Sequence, residues 1–574
     1  MENNDSQLNI PIAPDMPEST EEKGKPEGLI HHIFKKTEKK DKVSKIRENE
    51  ATPIPISGAD KNLKFEVRRA NPPAVPQFRD KTKVDFRYPL IIPYAYAHIY
   101  WDASGGELIY KIEEPVLDDH EKDVFTILEK GIKELINISF ISVKDEKTLI
   151  EYLEKNVRIL LDELSVTVEK TTYLKIMYYL YRNFVGLNKI EPLMADPNIE
   201  DIECNGINSP MYIVHRSLKN LKTNITYLTI EELQNFVEKL AQKAGKYISY
   251  SNPLLDGTLP DKSRINATFT QDISSKGPTF TVRKFTKIPY TPIKLMELGT
   301  VSPEFLAYCW LLIEYGMNIL IVGGTGSGKT SLLNGLAFFI PPQARVVSIE
   351  DTRELQLIHE NWLPSIAREG VGLTTSEGTK IGEITLFDLL KESFRQRPDY
   401  VIVGEIRGKE AFVLFQGMAS GHSSFSTMHA NDVATVITRL ETPPISLSAS
   451  LVESLDAVIM IGHANIGGVD VRKVKTVEEV IKVGNDMSST QLNTPFRWDP
   501  KVNRMVFSKK SYVFSKIIQR TSLTPQQLQL EMLRRANLLF RMYQKKIDDF
   551  EQVQKIINSY YKDPISVLTQ FNLR

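Results

Sequence analysis

At 574 residues the chain is too long for one hydrophobic core, so two or three domains with flexible ends are expected. Lysine plus arginine and aspartate plus glutamate both total 72, which removes any global electrostatic pull toward nucleic acid and leaves room only for a local patch. The two cysteines, Cys204 and Cys309, have no metal-ligand spacing, and without a leader-like N-terminus they fit a reducing cytoplasm.

The first segment, residues 1–85, reads as a disordered tail. Its first 22 residues hold six acidic side chains and no basic one, and residues 23–47 then hold nine Lys/Arg against Glu27, Glu38 and Asp41. Recurrent prolines complete a composition that cannot bury enough apolar surface to fold alone. Within it Leu29, Ile30, Ile33 and Phe34 would share one face of a short helix beside Lys35-Lys36 and Lys39-Lys40. That pairing suits an anionic membrane surface, and equally a solvated tail with incidental apolar residues.

Order should begin near Tyr88, in a mixed α+β domain over residues 86–288. Residues 88–115 alternate as strands do, and 117–186 read as helices at 3.6-residue period, for example Val124, Ile127, Leu128 and Ile132. Residues 190–285 mix short strands and helices, Glu231–Ala244 being the clearest helix. Pro289 and Pro292 mark a linker over 289–300. The apolar stretch Phe305 to Val322 is broken by Glu314, Gly316 and Asn318, short of the roughly 18 uninterrupted apolar residues a membrane span needs. It reads as a helix followed by a strand, and the chain as soluble with at most a surface association with a membrane.

From about Val301 to 515, strands alternate with helices, which predicts a doubly wound α/β domain. Its most informative stretch is Gly323-Gly324-Thr325-Gly326-Ser327-Gly328-Lys329-Thr330, with the spacing G-x-x-x-x-G-K-[ST]. It lies between the buried strand Asn318–Val322 and a helix that opens at Ser331, the context the motif requires. Backbone N–H groups of such a loop turn inward around phosphates, Lys329 would reach the β- and γ-phosphates of a nucleoside triphosphate, and the Thr330 hydroxyl would hold Mg²⁺.

Three further motifs follow. The run Arg345–Ile349 ends in Glu350-Asp351; Asp399–Val403 ends in Gly404-Glu405-Ile406-Arg407; Gly421-His422 precedes Ser426-Thr427-Met428-His429-Ala430. In a parallel sheet the strand C-termini share one crevice, so these carboxylates converge on the nucleotide. Gly404 stands where an aspartate would hold Mg²⁺, which casts Glu405 as the base that orients and deprotonates water. The metal would then rely on Thr330 and on Glu350 or Asp351. His422 and His429 read as sensors of the terminal phosphate or as satisfied structural histidines. After residue 470 a small antiparallel extension is expected, and 516–574 is helical. There Leu533, Ala536, Phe540, Tyr543, Ile547 and Phe550 form one apolar stripe, read as core.

With these motifs in order, the sequence resembles the secretion-type P-loop ATPases: motors of type II and type IV secretion, of type IV pili and their archaeal relatives. Ile190–Gly206 and Gly277–Phe285 also resemble that family. His359–Trp362 and Tyr560–Val567 look most like its archaeal branch, which includes archaellum motors. The resemblance implies a RecA-like motor domain with a mostly parallel twisted sheet and helices on both faces. It also implies an ATP- and Mg²⁺-dependent homohexameric ring acting on a polytopic membrane platform at the cytoplasmic face of the membrane. By position, Arg264 and Arg283 match arginines that complete the family's nucleotide site; Arg407 reads as a sensor or as a structural ion pair. No nucleic-acid partner is expected, the alternative being a DNA-translocating hexameric motor.

Overall fold

Residues 64–73, 75, 80–135, 145–285, 289–368, 370–374, 380–484 and 489–573 are described by the computed structural model. The candidate membrane contact at Leu29–Lys40 lies outside them. The chain forms two compact units, and Asp119–Met177 belongs to the first. Its helix Asp119–Leu135 buries Val124, Leu128 and Ile132, as the 3.6 period predicts, and Glu146–Glu163 buries Leu153, Val157, Leu160 and Leu161. Asp145 caps the second helix by accepting from the Thr148 N–H.

The second unit, Glu66–Asp118 and Tyr178 onward, carries two large sheets. The strands of the first are β1 (Arg68–Arg69), β2 (Asp85–Ile92), β3 (Ala95–Asp102), β4 (Glu107–Glu113), β5 (Ile199–Cys204), β6 (Pro210–His215), β7 (Lys219–Thr226), β8 (Leu254–Thr258), β9 (Arg264–Thr268) and β10 (Thr279–Arg283). They lie in the order β1-β2-β3-β4-β7-β6-β5-β10-β9-β8. Strand pairing thus reaches ahead of Tyr88, with Arg68 and Arg69 opposite Ile92 and Ile91. A buried carboxylate, Asp196, ties the sheet to its neighbours by accepting from the hydroxyls of Tyr88 at 2.6 Å and Tyr110 at 2.7 Å.

The strands that follow are β11 (Ile319–Val322), β12 (Val346–Glu350), β13 (Trp362–Ile366), β14 (Val371–Thr374), β15 (Lys380–Ile381), β16 (Tyr400–Val403), β17 (Ser423–Met428), β18 (Ala457–Ile466), β19 (Val469–Lys482), β20 (Gln491–Asp499) and β21 (Arg504–Phe507). β14 and β15 pair only with each other; the other nine form the order β13-β12-β16-β17-β11-β18-β19-β20-β21. From β13 to β18 every pairing is parallel, and from β18 to β21 every pairing is antiparallel. Parallel strands need crossovers, and these place helices on both faces. The two-residue period divides the strand side chains accordingly. Ile319, Ile321, Val346 and Ile402 enter one core with the helices Pro303–Glu314 and Lys329–Ala337. Leu320, Val322, Val347 and Val401 enter another with Leu386–Ser393, Glu410–Ala419 and Val433–Glu441.

The apolar stripe expected as core in the C-terminal helices is core only in part, at Ala536, Ile547 and Phe550. On the helix Pro525–Gln544, Leu533, Phe540 and Tyr543 are 49%, 43% and 39% exposed, whereas Leu528, Met532, Arg535, Ala536, Leu538, Leu539 and Met542 are buried. Apolar side chains recur on two sides of this helix, and the inward side is selected by Arg535. Its guanidinium lies 4.8 Å from the Trp310 ring and pairs with Glu314 and Glu531, so a charge enters the core together with its partners. No described helix is long and apolar enough to cross a membrane.

Candidate functional site

The C-terminal ends of β11, β12, β16 and β17 open on one side of the sheet. The phosphate loop leaves β11 and turns into the helix Lys329–Ala337 at Gly328, whose φ of 94° lies in the left-handed region that a side chain rarely adopts. Ser327 Oγ is buried there without a hydrogen-bond partner. The Lys329 ammonium is folded back on the loop, donating to the carbonyl oxygens of Gly323 at 3.1 Å and Gly324 at 3.0 Å. Burial lowers its pKa, opposed by the charges of Glu405 and Glu354. Gly326, Thr325, Thr330 and Ser331 complete the loop and the first turn, with Thr325 and Gly326 exposed.

Glu350 ends β12 and is 2% exposed. Its Oε1 accepts from the N–H groups of Glu354 and Leu355, each at 2.9 Å, while Oε2 has no hydrogen-bond partner. Burial pushes this carboxyl up to about 7, against the stabilising pull of those two N–H groups. The same side chain explains Gly404. A Cβ at that position would stand 3.2 Å from Glu350 Cγ, so a side chain there would press on Glu350.

Glu405 follows on a turn held from three sides. Gly404 N–H donates to Ile349 O at 2.9 Å, Ile406 N–H to Thr427 O at 2.9 Å, and Thr427 Oγ1 to Gly404 O at 2.7 Å. One turn later Glu410 Oε1 accepts from the N–H groups of Arg407 and Gly408, both at 2.7 Å. His429, just past β17, has Nε2 3.3 Å from Glu405 Oε1 and Nδ1 3.3 Å from Lys329 Nζ. Burial lowers the imidazole pKa, and the positive charge of Lys329 lowers it further. Nε2 lies 3.4 Å from Lys329 Nζ as well, so the imidazole stands between the ammonium and the Glu405 carboxylate. Arg439 pins this residue by donating to its carbonyl at 2.5 Å.

The structure brings together Lys329, Glu350, Glu405 and His429, and it separates His422 from them. His422 precedes β17 and His429 follows it, so the strand between them spans about 20 Å at 3.3 Å per residue. The His422 ring stands edge-on to Phe394, 4.9 Å between centroids, at the end of the sheet away from the loop. Arg264 and Arg283 are direct cross-strand partners on β9 and β10. Arg264 grips Asp256 with Nη2 at 2.8 Å and Nε at 3.2 Å, and the charges of Asp351 and Glu354 also act on it. Arg283 pairs with Asp201 at 3.1 Å. Asp351 itself is ion-paired with Arg407.

Sequence reasoning missed Glu354, Arg439 and, most consequentially, Arg472. The last lies on β19, read only as part of an extension, and its Nε donates to the carbonyl of Gly326 at 2.9 Å. A signal was available: Gly467-Gly468 has left-handed φ at both residues, the hairpin pattern, which sets His463 opposite Arg472.

The donor set fits a triphosphate with a hard cation. A cationic lysine and an orphaned serine hydroxyl lie on the loop, and an orphaned carboxylate oxygen lies at the end of β12.

Residues 187–464 match the family model described as "Type II/IV secretion system protein". The chain is 37% identical over 405 residues, 70% of its own length, to Uncharacterized protein MJ0900 of Methanocaldococcus jannaschii, of which 72% is covered. It is 40% identical over 265 residues to Uncharacterized protein MJ1287 of the same organism, covering 46% of this chain and 96% of that relative. Type IV secretion system protein VirB11 of Bartonella henselae is 29% identical over 286 residues, covering 43% of this chain and 77% of VirB11. Motifs, sheet order and these likenesses agree, and the chain belongs to the type II/IV secretion system ATPase family.

Proposed function

We propose that this protein is an ATP-hydrolysing motor that works as a homohexameric ring at the cytoplasmic face of the membrane. It powers assembly or rotation of an archaellum, a type IV pilus-like filament or a related secretion machine, through a polytopic platform partner. The observation that carries the reading is the line Lys329–His429–Glu405 beside the phosphate loop, with steps of 3.3 Å. The relatives in Methanocaldococcus jannaschii support the archaeal placement.

In this reading Lys329 exchanges the carbonyls of Gly323 and Gly324 for phosphate oxygens. A Mg²⁺ held by Thr330 and Glu350 would neutralise phosphate charge. Glu405, fixed by its turn and by His429, takes the proton of the attacking water. Arg264 and Arg283 supply positive charge from the first sheet, and a guanidinium on developing phosphoryl charge is worth about 10³–10⁵ in rate.

The test is Mg²⁺-dependent ATP turnover by the full chain. Glu405→Gln should still bind ATP but turn over about 10²–10⁴ times more slowly. An unchanged kcat would overturn the reading. Sedimentation with nucleotide should show six copies. Turnover stimulated by single-stranded DNA and not by lipid vesicles would instead establish a nucleic-acid motor.

A further inference from the structure

The hairpin of β18 and β19 lays two side chains over the phosphate loop. His463 and Arg472 stand directly opposite each other in its register. Arg472 donates from Nε to Gly326 O at 2.9 Å, and its stem packs on the loop, Cδ lying 3.3 Å from where a Cβ of Gly328 would be. His463 Nε2 lies 3.9 Å from where a Cβ of Gly326 would be. The far side of the guanidinium, Nη2, is 3.5 Å from Glu200 Oε2 on β5 of the first sheet. Two residues earlier on the same face of β19, Asp470 holds His463 at 3.0 Å and pairs with Lys219 of β7 at 2.8 Å. The hairpin is thus bound to the loop on one side and to the first sheet on the other.

The Arg472 guanidinium keeps its charge at every accessible pH and has five N–H donors. Nε meets a neutral carbonyl and Nη2 a carboxylate. A phosphate tail in the loop sets several negative charges beside the same donors, and hydrogen bonds between ions are about twice as strong as neutral ones. Resting on the nucleotide site proposed above, we propose that Arg472 is a further phosphate-binding residue. Glu200 is its competitor: it holds the guanidinium on the first sheet until a nucleotide takes it. Binding in the loop then loosens the tie to β5, and by reciprocity loosening that tie tightens binding.

The test is fluorescence titration of the full chain with Mg²⁺ and a fluorescent N-methylanthraniloyl ATP. Arg472→Ala should weaken binding about tenfold or more, the loss of one hydrogen bond between charged groups. Arg472→Lys should recover only part, because an ammonium lacks the planar fork. Glu200→Gln should tighten binding about two- to fivefold, the scale of one exposed ion pair, and should change nothing in the Arg472→Ala background. A merely structural arginine would not give a partner whose removal improves binding. Unchanged or weaker binding by Glu200→Gln, or wild-type binding by Arg472→Ala, overturns the proposal. Lys329→Ala separates the two readings. If it binds like wild type, the nucleotide site falls and this proposal with it; if it binds poorly while the Arg472 and Glu200 variants bind like wild type, only this proposal falls.

Discussion

His429 Nε2 lies 3.3 Å from Glu405 Oε1, and both ring nitrogens lie within 3.4 Å of Lys329 Nζ. In the proposed site a histidine there would orient the carboxylate. His429→Ala should lower kcat about tenfold or more, one hydrogen bond to a charged group being worth about 1.5–3 kcal/mol, with a smaller change in KM. Burial and Lys329 hold the imidazole pKa down, so the ring is neutral at pH 7. The acid limb of kcat should therefore fall below the usual imidazole value of about 6.5, and a pH–rate profile reads it directly.

Gly404→Ala probes the close packing of two motifs. The new Cβ would stand 3.2 Å from Glu350 Cγ, backed by a fully buried strand. Overpacking of this kind costs about 1–3 kcal/mol. The substitution should lower thermal stability and displace Glu350, giving weaker Mg²⁺ dependence of nucleotide binding than wild type. Normal stability with normal Mg²⁺ dependence would show that the two motifs are not packed as described.

His215 supplies a pH dependence in the first sheet. Its Nδ1 accepts from the N–H groups of Ser217 at 3.1 Å and Leu218 at 3.2 Å, and burial pushes its pKa down to about 4. The folded state holds the ring neutral, so its contribution is full above the unfolded value and is lost as pH falls toward the folded one. From this group alone the sheet should be about 2 kcal/mol less stable at pH 5 than at pH 7. In denaturant titrations His215→Gln should flatten the difference by that amount.

Arg535 should be intolerant of truncation. Removing it leaves Glu314 without the cation it pairs with and Glu531 with Arg534 alone. Arg535→Met alone should cost about 3–5 kcal/mol, and replacing all three charges by apolar residues should recover most of it. Urea unfolding of the single and triple variants checks both halves of the statement.

Much of this fold is written in local pattern. Four- and five-residue apolar runs before Gly323, Glu350 and Gly404 predict the buried strands, and because parallel strands align, three separated motifs predict one crevice. The failures share a cause: a one-dimensional spacing does not say how an element is rotated or how long it is. His422 and His429 look like a pair at seven residues, yet a six-residue strand sets them at opposite ends. The stripe through Leu533 and Phe540 satisfies a helical period, but the inward face carries an arginine paired with Glu314, which is distant in sequence. Arg472 escaped because its target, Gly326, lies 146 residues earlier and only the hairpin register joins them.

Every side chain of β11 is enclosed, alternate ones wedged among helices above and below. Such a beam has no soft side on which to flex. In the proposed motor, a displacement at its tip would have to pass to contacts held by charge, such as the ion pairs with β5 and β7.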